Sequence, residues 1–132
     1  PIGIMRRTPA MLAQLERNRP ALADPDSSVE TQQPRYAQNL HRSLKPEILV
    51  LIGLCTHLGC VPAGHFEAGP ASGIEGDWPG GWFCHCHGSK FDYAGRVFRN
   101  VPAPTNLVVP PYSLPTDTQV LIGIDPPKSE AT

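Results

Sequence analysis

Two short segments concentrate the groups that could bind a metal or move electrons. Cys55-Thr56-His57-Leu58-Gly59-Cys60 offers a C-x-H pair, and Cys84-His85-Cys86-His87-Gly88-Ser89 offers a C-x-x-H pair, with residues 61–83 between them. Together they present two thiolates, Cys55 and Cys84, and two imidazoles, His57 and His87. A bare four-ligand set of this kind fits zinc as well as iron. Each segment also carries a surplus cysteine, Cys60 or Cys86, that completes no second metal site. The economical reading is a disulfide between these two, which would hold the segments against each other. Closing a loop of that length would stabilise the fold by roughly 3.5 kcal/mol through loop-closure entropy. Two free structural cysteines are the alternative.

The elements that must deliver these segments can be read around them. Ile48-Leu49-Val50-Leu51-Ile52 is a continuous apolar run inside 45–54, which suits a strand buried on both faces that leads to Cys55. Trp82-Phe83 predicts a brief strand leading into Cys84. Residues 62–81 are rich in Gly and Pro and predict a long loop. Asp92-Tyr93-Ala94-Gly95 predicts a turn, flanked as a hairpin by Phe91 and Val97-Phe98. Farther out, Ile2 to Met5 reads as a short strand. Thr8 can cap a helix from Pro9 to Asn18, since Pro9 loses no hydrogen bond in the first turn and Pro20 forbids continuation. Residues 21–38 read as an irregular connection. Asn106 to Val109 and Thr118 to Ile124 predict two more strands, joined through Pro110-Pro111 and Pro115-Thr116-Asp117.

Composition narrows the function classes. At 132 residues, one domain covering 1–132 is expected. With 11 Lys and Arg against 12 Asp and Glu there is no basic excess to neutralise phosphates, so no nucleic-acid partner is expected. The longest apolar run, Ile48 to Cys55, is far short of the roughly 20 residues of a spanning helix. An anchoring segment is therefore expected upstream of Pro1. The 16 prolines and 12 glycines, with apolar segments recurring between them, predict a loop-rich β domain rather than disorder.

The two boxes resemble those of the Rieske iron-sulfur subunit of cytochrome bc complexes, which read C-T-H-L-G-C and C-P-C-H-G-S. The match holds at Cys55 through Cys60 and at Cys84, Cys86, His87, Gly88 and Ser89. It extends through Trp78-Pro79-Gly80-Gly81, Pro102-Ala103-Pro104-Thr105-Asn106-Leu107 and Arg6-Arg7-Thr8-Pro9, so it covers nearly the whole chain. There are two departures. His85 stands where the family usually has proline, and Phe91 where it usually has tyrosine.

The resemblance implies an all-β fold of stacked antiparallel sheets with one short helix. A base of about 1–53 and 102–132 would carry a cluster-binding subdomain of about 54–101. It implies a 2Fe-2S cluster on Cys55, His57, Cys84 and His87, a Cys60–Cys86 disulfide, and a Ser89 hydroxyl donating toward the cluster. Val101 to Pro104 would form a stiff third wall over the cluster, with Trp78 and Trp82 near its base. His87, with His57 similarly exposed and Leu58 packing nearby, would meet a quinol. Partners would be cytochrome b and a membrane-bound c-type cytochrome, at the periplasmic face of a bacterial inner membrane or its equivalent.

Ligand chemistry agrees with an oxidant. Two ferric ions, two sulfides and two thiolates sum to zero charge, and neutral imidazoles add none. Such centres reach roughly −150 to +300 mV, well above four-thiolate clusters. The charge added on reduction favours protons on the ligated rings, which couples electron to proton as oxidation of a quinol hydroxyl demands. Other readings of the boxes are a Rieske ferredoxin or oxygenase domain, the Rieske subunit of a molybdenum oxidase such as arsenite oxidase, a photosynthetic plastoquinol-oxidising relative, and a zinc-binding or thiol-redox module. His41 and His65, outside both boxes, read as surface residues, and His85 as a partly exposed loop residue.

Overall fold

The computed structural model describes residues 1–74 and 76–127. Strand β1 (Ile2–Arg6) pairs antiparallel with β2 (Ile48–Ile52), Ile4 opposite Val50. The apolar run of β2 does what its composition requires: Leu49, Val50 and Leu51 are consecutive and all buried. Each such side chain contributes about 1.5–3 kcal/mol relative to exposure. Between these strands lies α1 (Pro9–Arg17), where Thr8 Oγ1 accepts the Met11 N–H and Asn18 closes the C-terminus. Leu15, fully buried, fixes this helix to the core. Residues 19–38 run as single 3-10 turns and bends, as their prolines dictate.

The chemistry-bearing region is built on a separate three-stranded antiparallel sheet. In it β3 (Ala63–His65) pairs with β4 (Gly81–Phe83), which pairs with β5 (Lys90–Phe91). Strand β3 corrects the expectation of an unstructured 62–81. Three residues are enough to pair once β4 offers an edge, too few for periodicity to reveal. Gly81 is required where β4 meets β5, because a Cβ there would overlap the Phe91 carbonyl oxygen. The hairpin turn after β5 is as expected. Phe91 bridges to Val97, Asp92 Oδ1 accepts the N–H groups of Ala94 and Arg96 at 2.9 Å each, and Gly95 takes φ 72°.

A last hairpin joins β6 (Tyr112–Thr116) to β7 (Gln119–Ile122). The expected strand at Asn106 to Val109 is a correction. That stretch is mostly buried, but its backbone bonds go to three different segments: Leu107 N–H to Gly95, Val109 N–H to Gln32, and Ile52 N–H to the Val108 carbonyl. Flanking prolines 104, 110 and 111 supply no N–H, so no continuous ladder can form. The strand forms one step later instead, and Pro115 is accommodated at a register shift between Ser113 and Thr116. The second strand of this hairpin, expected over Thr118 to Ile124, is shorter.

Three buried arginines bind the layers together. Arg7, Arg42 and Arg96 donate to the carbonyls of Tyr93, Ala94 and Leu15 respectively, around the buried carboxylate of Asp92. Arg96 and Asp92 form a fully buried ion pair at 2.8 Å. Burial pushes the guanidinium groups of Arg7 and Arg42 down to about 10, with Asp92 opposing the shift. Their convergence on residues 92–96 braces the turn immediately after the second box.

Candidate metal centre

The two boxes fold alike. Cys55 N–H donates to the Cys60 carbonyl at 2.7 Å and Gly59 N–H to the Cys55 carbonyl at 2.8 Å. In the second box Cys84 N–H donates to the Ser89 carbonyl at 2.8 Å and Gly88 N–H to the Cys84 carbonyl at 2.8 Å. Gly59 and Gly88 both take φ 81°, a left-handed conformation that a side chain would strain. Each box is thus a tight loop closed on itself, with its leading cysteine buried and its tip outward.

The loops meet face to face. Cys60 and Cys86 are joined by a disulfide, Cα–Cα 6.6 Å, while Cys55 and Cys84 are free and buried. Among the described residues, the sulfurs of Cys60, Cys84 and Cys86 lie within 4.8 Å of one another, but two of these three are consumed by the disulfide. The open donors are therefore the two free thiols and the imidazoles beside them. His57 and His87 stand edge to face, ring centroids 4.9 Å apart. Their positions differ in character: the thiols are inside, His57 is half-buried, and His87 is exposed.

Burial pushes the Cys55 thiol above its ordinary pKa; the His57 N–H works against this, the adjacent Cys84 thiol adds to it, and the Ser89 hydroxyl opposes it. Two such thiols crowded together become stable as thiolates when a cation takes their charge. A donor set of two buried sulfurs on one side and two accessible imidazoles on the other fits a binuclear centre with unlike ends.

The segment expected to wall the site lies against both boxes. Ala103 N–H donates to Ser89 Oγ at 2.9 Å, and Thr56 Oγ1 donates to the Thr105 carbonyl at 2.6 Å, so the proline segment is tied to both boxes. Trp78 is buried against Phe83 and Phe98, its indole N–H donating to the His65 carbonyl. Trp82 lies edge-on to Phe66 at 5.1 Å. Leu58, next in sequence to His57, is 69% exposed. Phe91 is fully buried.

Residues 25–113 match the Rieske [2Fe-2S] domain, a span that includes both boxes. The chain belongs to this family. A Rieske domain carries a 2Fe-2S cluster, and the donor set here fits one. The chain is 55% identical over 125 residues to the ubiquinol-cytochrome c reductase iron-sulfur subunit of Allochromatium vinosum, covering 95% of this chain and 59% of the relative. It is 41% identical to the mitochondrial cytochrome b-c1 complex subunit Rieske of Neurospora crassa, covering 93% of this chain and 44% of the relative. The corresponding bovine subunit is 46% identical over 76% of this chain. The chain spans 59% of the length of the first of these relatives and 44% of the second.

Several contacts that shape this Rieske site gave no signal in sequence. Thr56 anchors to Thr105 across 49 residues, Arg7 and Arg42 reach the turn behind the second box from distant positions, and Arg96 reaches out of that turn to Leu15. Thr56, Thr105 and Arg7 all lie in the motifs that carry the resemblance, but those motifs mark residues without saying which one meets which.

Proposed function

We propose that this chain is the electron-transfer head of a quinol-oxidising cytochrome bc complex, taking one electron and one proton from a quinol and passing the electron to a c-type cytochrome. The observation that carries this reading is the polarity of the centre, with its thiols buried and His57, His87 and Leu58 presented together at the surface. Cys55 and Cys84 would hold one iron, and His57 and His87 the other. When bound, the 2Fe-2S cluster supplies a one-electron acceptor that is neutral in its oxidised state.

The chain's own residues account for the rest. His87 accepts the hydrogen bond and then the proton of the quinol hydroxyl at its outer ring nitrogen. Leu58 offers apolar contact to the quinol ring, and His57 shares the same exposed face. Ser89, held by Ala103, turns its hydroxyl toward the Cys55 sulfur and steadies added negative charge. The disulfide acts as a clamp, not as a ligand.

The subdomain limits of about 54–101, on a base of 1–53 and 102–132, belong to the same proposal. The sheet β3-β4-β5 lies wholly inside the first range, and the β1-β2 and β6-β7 sheets lie in the second. Cytochrome b and a membrane-bound c-type cytochrome as partners are supported by the relatives' naming as subunits of the cytochrome b-c1 complex and of ubiquinol-cytochrome c reductase; placement on the periplasmic face of a bacterial inner membrane, through a segment outside this chain, is the further part of the proposal.

The deciding experiment mixes oxidised, cluster-loaded protein with a ubiquinol under anaerobic conditions and follows the cluster by absorbance and paramagnetic resonance. Reduction by quinol is expected, together with a reduction potential that falls by about 59 mV per pH unit where one proton accompanies the electron. A pH-independent potential with no reduction by quinol would leave a simple electron carrier. Colourless protein with stoichiometric zinc would overturn the reading altogether.

A further inference from the structure

We infer that His65 and His85 form a second metal-binding site, a two-imidazole chelate for a divalent transition ion, separate from the cluster ligands. Their Nε2 atoms face each other at 2.9 Å, with ring centroids 5.1 Å apart. The pair lies at the surface, so an ion can reach it with its remaining positions filled by water.

Coordination geometry fits this separation. Two imidazole nitrogens bound at about 2.0–2.1 Å and at right angles around one ion stand about 2.9 Å apart, whereas a tetrahedral pair stands about 3.3 Å apart. The observed spacing therefore matches adjacent positions of a tetragonal Cu2+ or Ni2+ ion, and Zn2+ needs a widening of a few tenths of an ångström. At most one proton can occupy the gap between the two nitrogens. When a metal takes both Nε2 atoms, that proton shifts to the Nδ1 of its own ring, so two neutral imidazoles bind the ion with no net loss of a proton.

The pair is preorganised, so little ordering remains to oppose binding. His65 lies on β3 opposite Gly81, and its carbonyl is fixed by the Trp78 indole N–H at 2.9 Å. His85 rests against Phe83, centroids 4.8 Å apart, and His65 meets the same ring edge-on at 6.1 Å. His85 is further held between Cys84 and the disulfide-bonded Cys86. One phenyl ring thus serves as the floor for both imidazoles.

The test adds Cu2+ to cluster-loaded protein in the oxidised state, whose coupled ferric pair gives no paramagnetic signal of its own. One equivalent should bind with a tetragonal copper spectrum showing coupling to two nitrogens. His65→Ala and His85→Pro should each weaken binding at least tenfold and remove the two-nitrogen pattern, while His41→Ala changes nothing. Retained cluster absorbance certifies the fold of each variant. Should His85→Pro fail to load its cluster, His65→Ala decides alone. Unchanged copper affinity and spectrum in His65→Ala would overturn the inference and place the copper on other imidazoles.

Discussion

Ser89 Oγ accepts the Ala103 backbone N–H at 2.9 Å, so the hydroxyl beside the Cys55 sulfur is oriented from behind by the proline segment. One bond both fixes the hydroxyl beside the Cys55 sulfur and fastens the proline segment to the second box.

Removing that hydroxyl should separate the two effects. Ser89→Ala is expected to keep the cluster but lower its potential by about 40–90 mV, the equivalent of a 1–2 kcal/mol hydrogen bond to the reduced state. Redox titration monitored by circular dichroism reads the shift. A potential equal to that of the wild type would show that the hydroxyl serves only the wall.

Phe91→Tyr should move the potential the other way. The Rieske family usually carries tyrosine here, whose hydroxyl can donate toward a ligand thiolate, and this chain lacks that donor. Because Phe91 is fully buried, the added oxygen must also be accommodated by packing. The expected result is a higher potential with a modest loss of thermal stability, measured on the same samples.

Cys60→Ser and Cys55→Ala should differ in kind. The first breaks the clamp and removes about 3.5 kcal/mol of loop-closure stabilisation, leaving a centre that assembles but loses iron faster. The second removes a proposed ligand and should abolish the cluster. Iron content after reconstitution, followed over time, distinguishes them.

Arg96→Met should destabilise the domain by about 3 kcal/mol in urea unfolding, because it leaves the Asp92 carboxylate buried without its ion-pair partner. The neighbouring arginines soften the loss without replacing the 2.8 Å contact.

Asp24 should report on acid stability. Burial raises its pKa, but hydrogen bonds from the Ser28 N–H and hydroxyl and from the Val29 N–H outweigh this and leave it below its ordinary 3.8. A folded value below the unfolded one stabilises the fold above pH 3.8, and that contribution disappears as pH falls through the folded value. Asp24→Asn should therefore be less stable than the wild type at neutral pH, with the difference closing on acidification below pH 4.

What the residues disclosed in advance depended on how local the determinant was. Both boxes, the buried run of β2, the capped helix at Pro9 and the turn at Gly95 are each set by neighbours within a few positions, and all are present. Strand β3 and the unpaired course of Asn106 to Val109 depend on which distant backbone comes alongside, and local pattern misjudged both. The pairing of His65 with His85 belongs with these. Twenty residues separate them, and only the β3–β4 register brings their rings to one face.

The placement of four sulfurs in so small a space has a bearing on how the protein matures. Four cysteines can pair in three ways, and Cys84 lies within 4.8 Å of both sulfurs of the native bridge, near enough for exchange. While Cys55 and Cys84 remain bare, oxidation can scramble the boxes into dead-end isomers. Iron held by those two thiolates, as proposed, would withdraw them from exchange and leave a single partner choice for Cys60. The chronology that avoids the trap is metal insertion first, under reducing conditions, and oxidative locking afterwards.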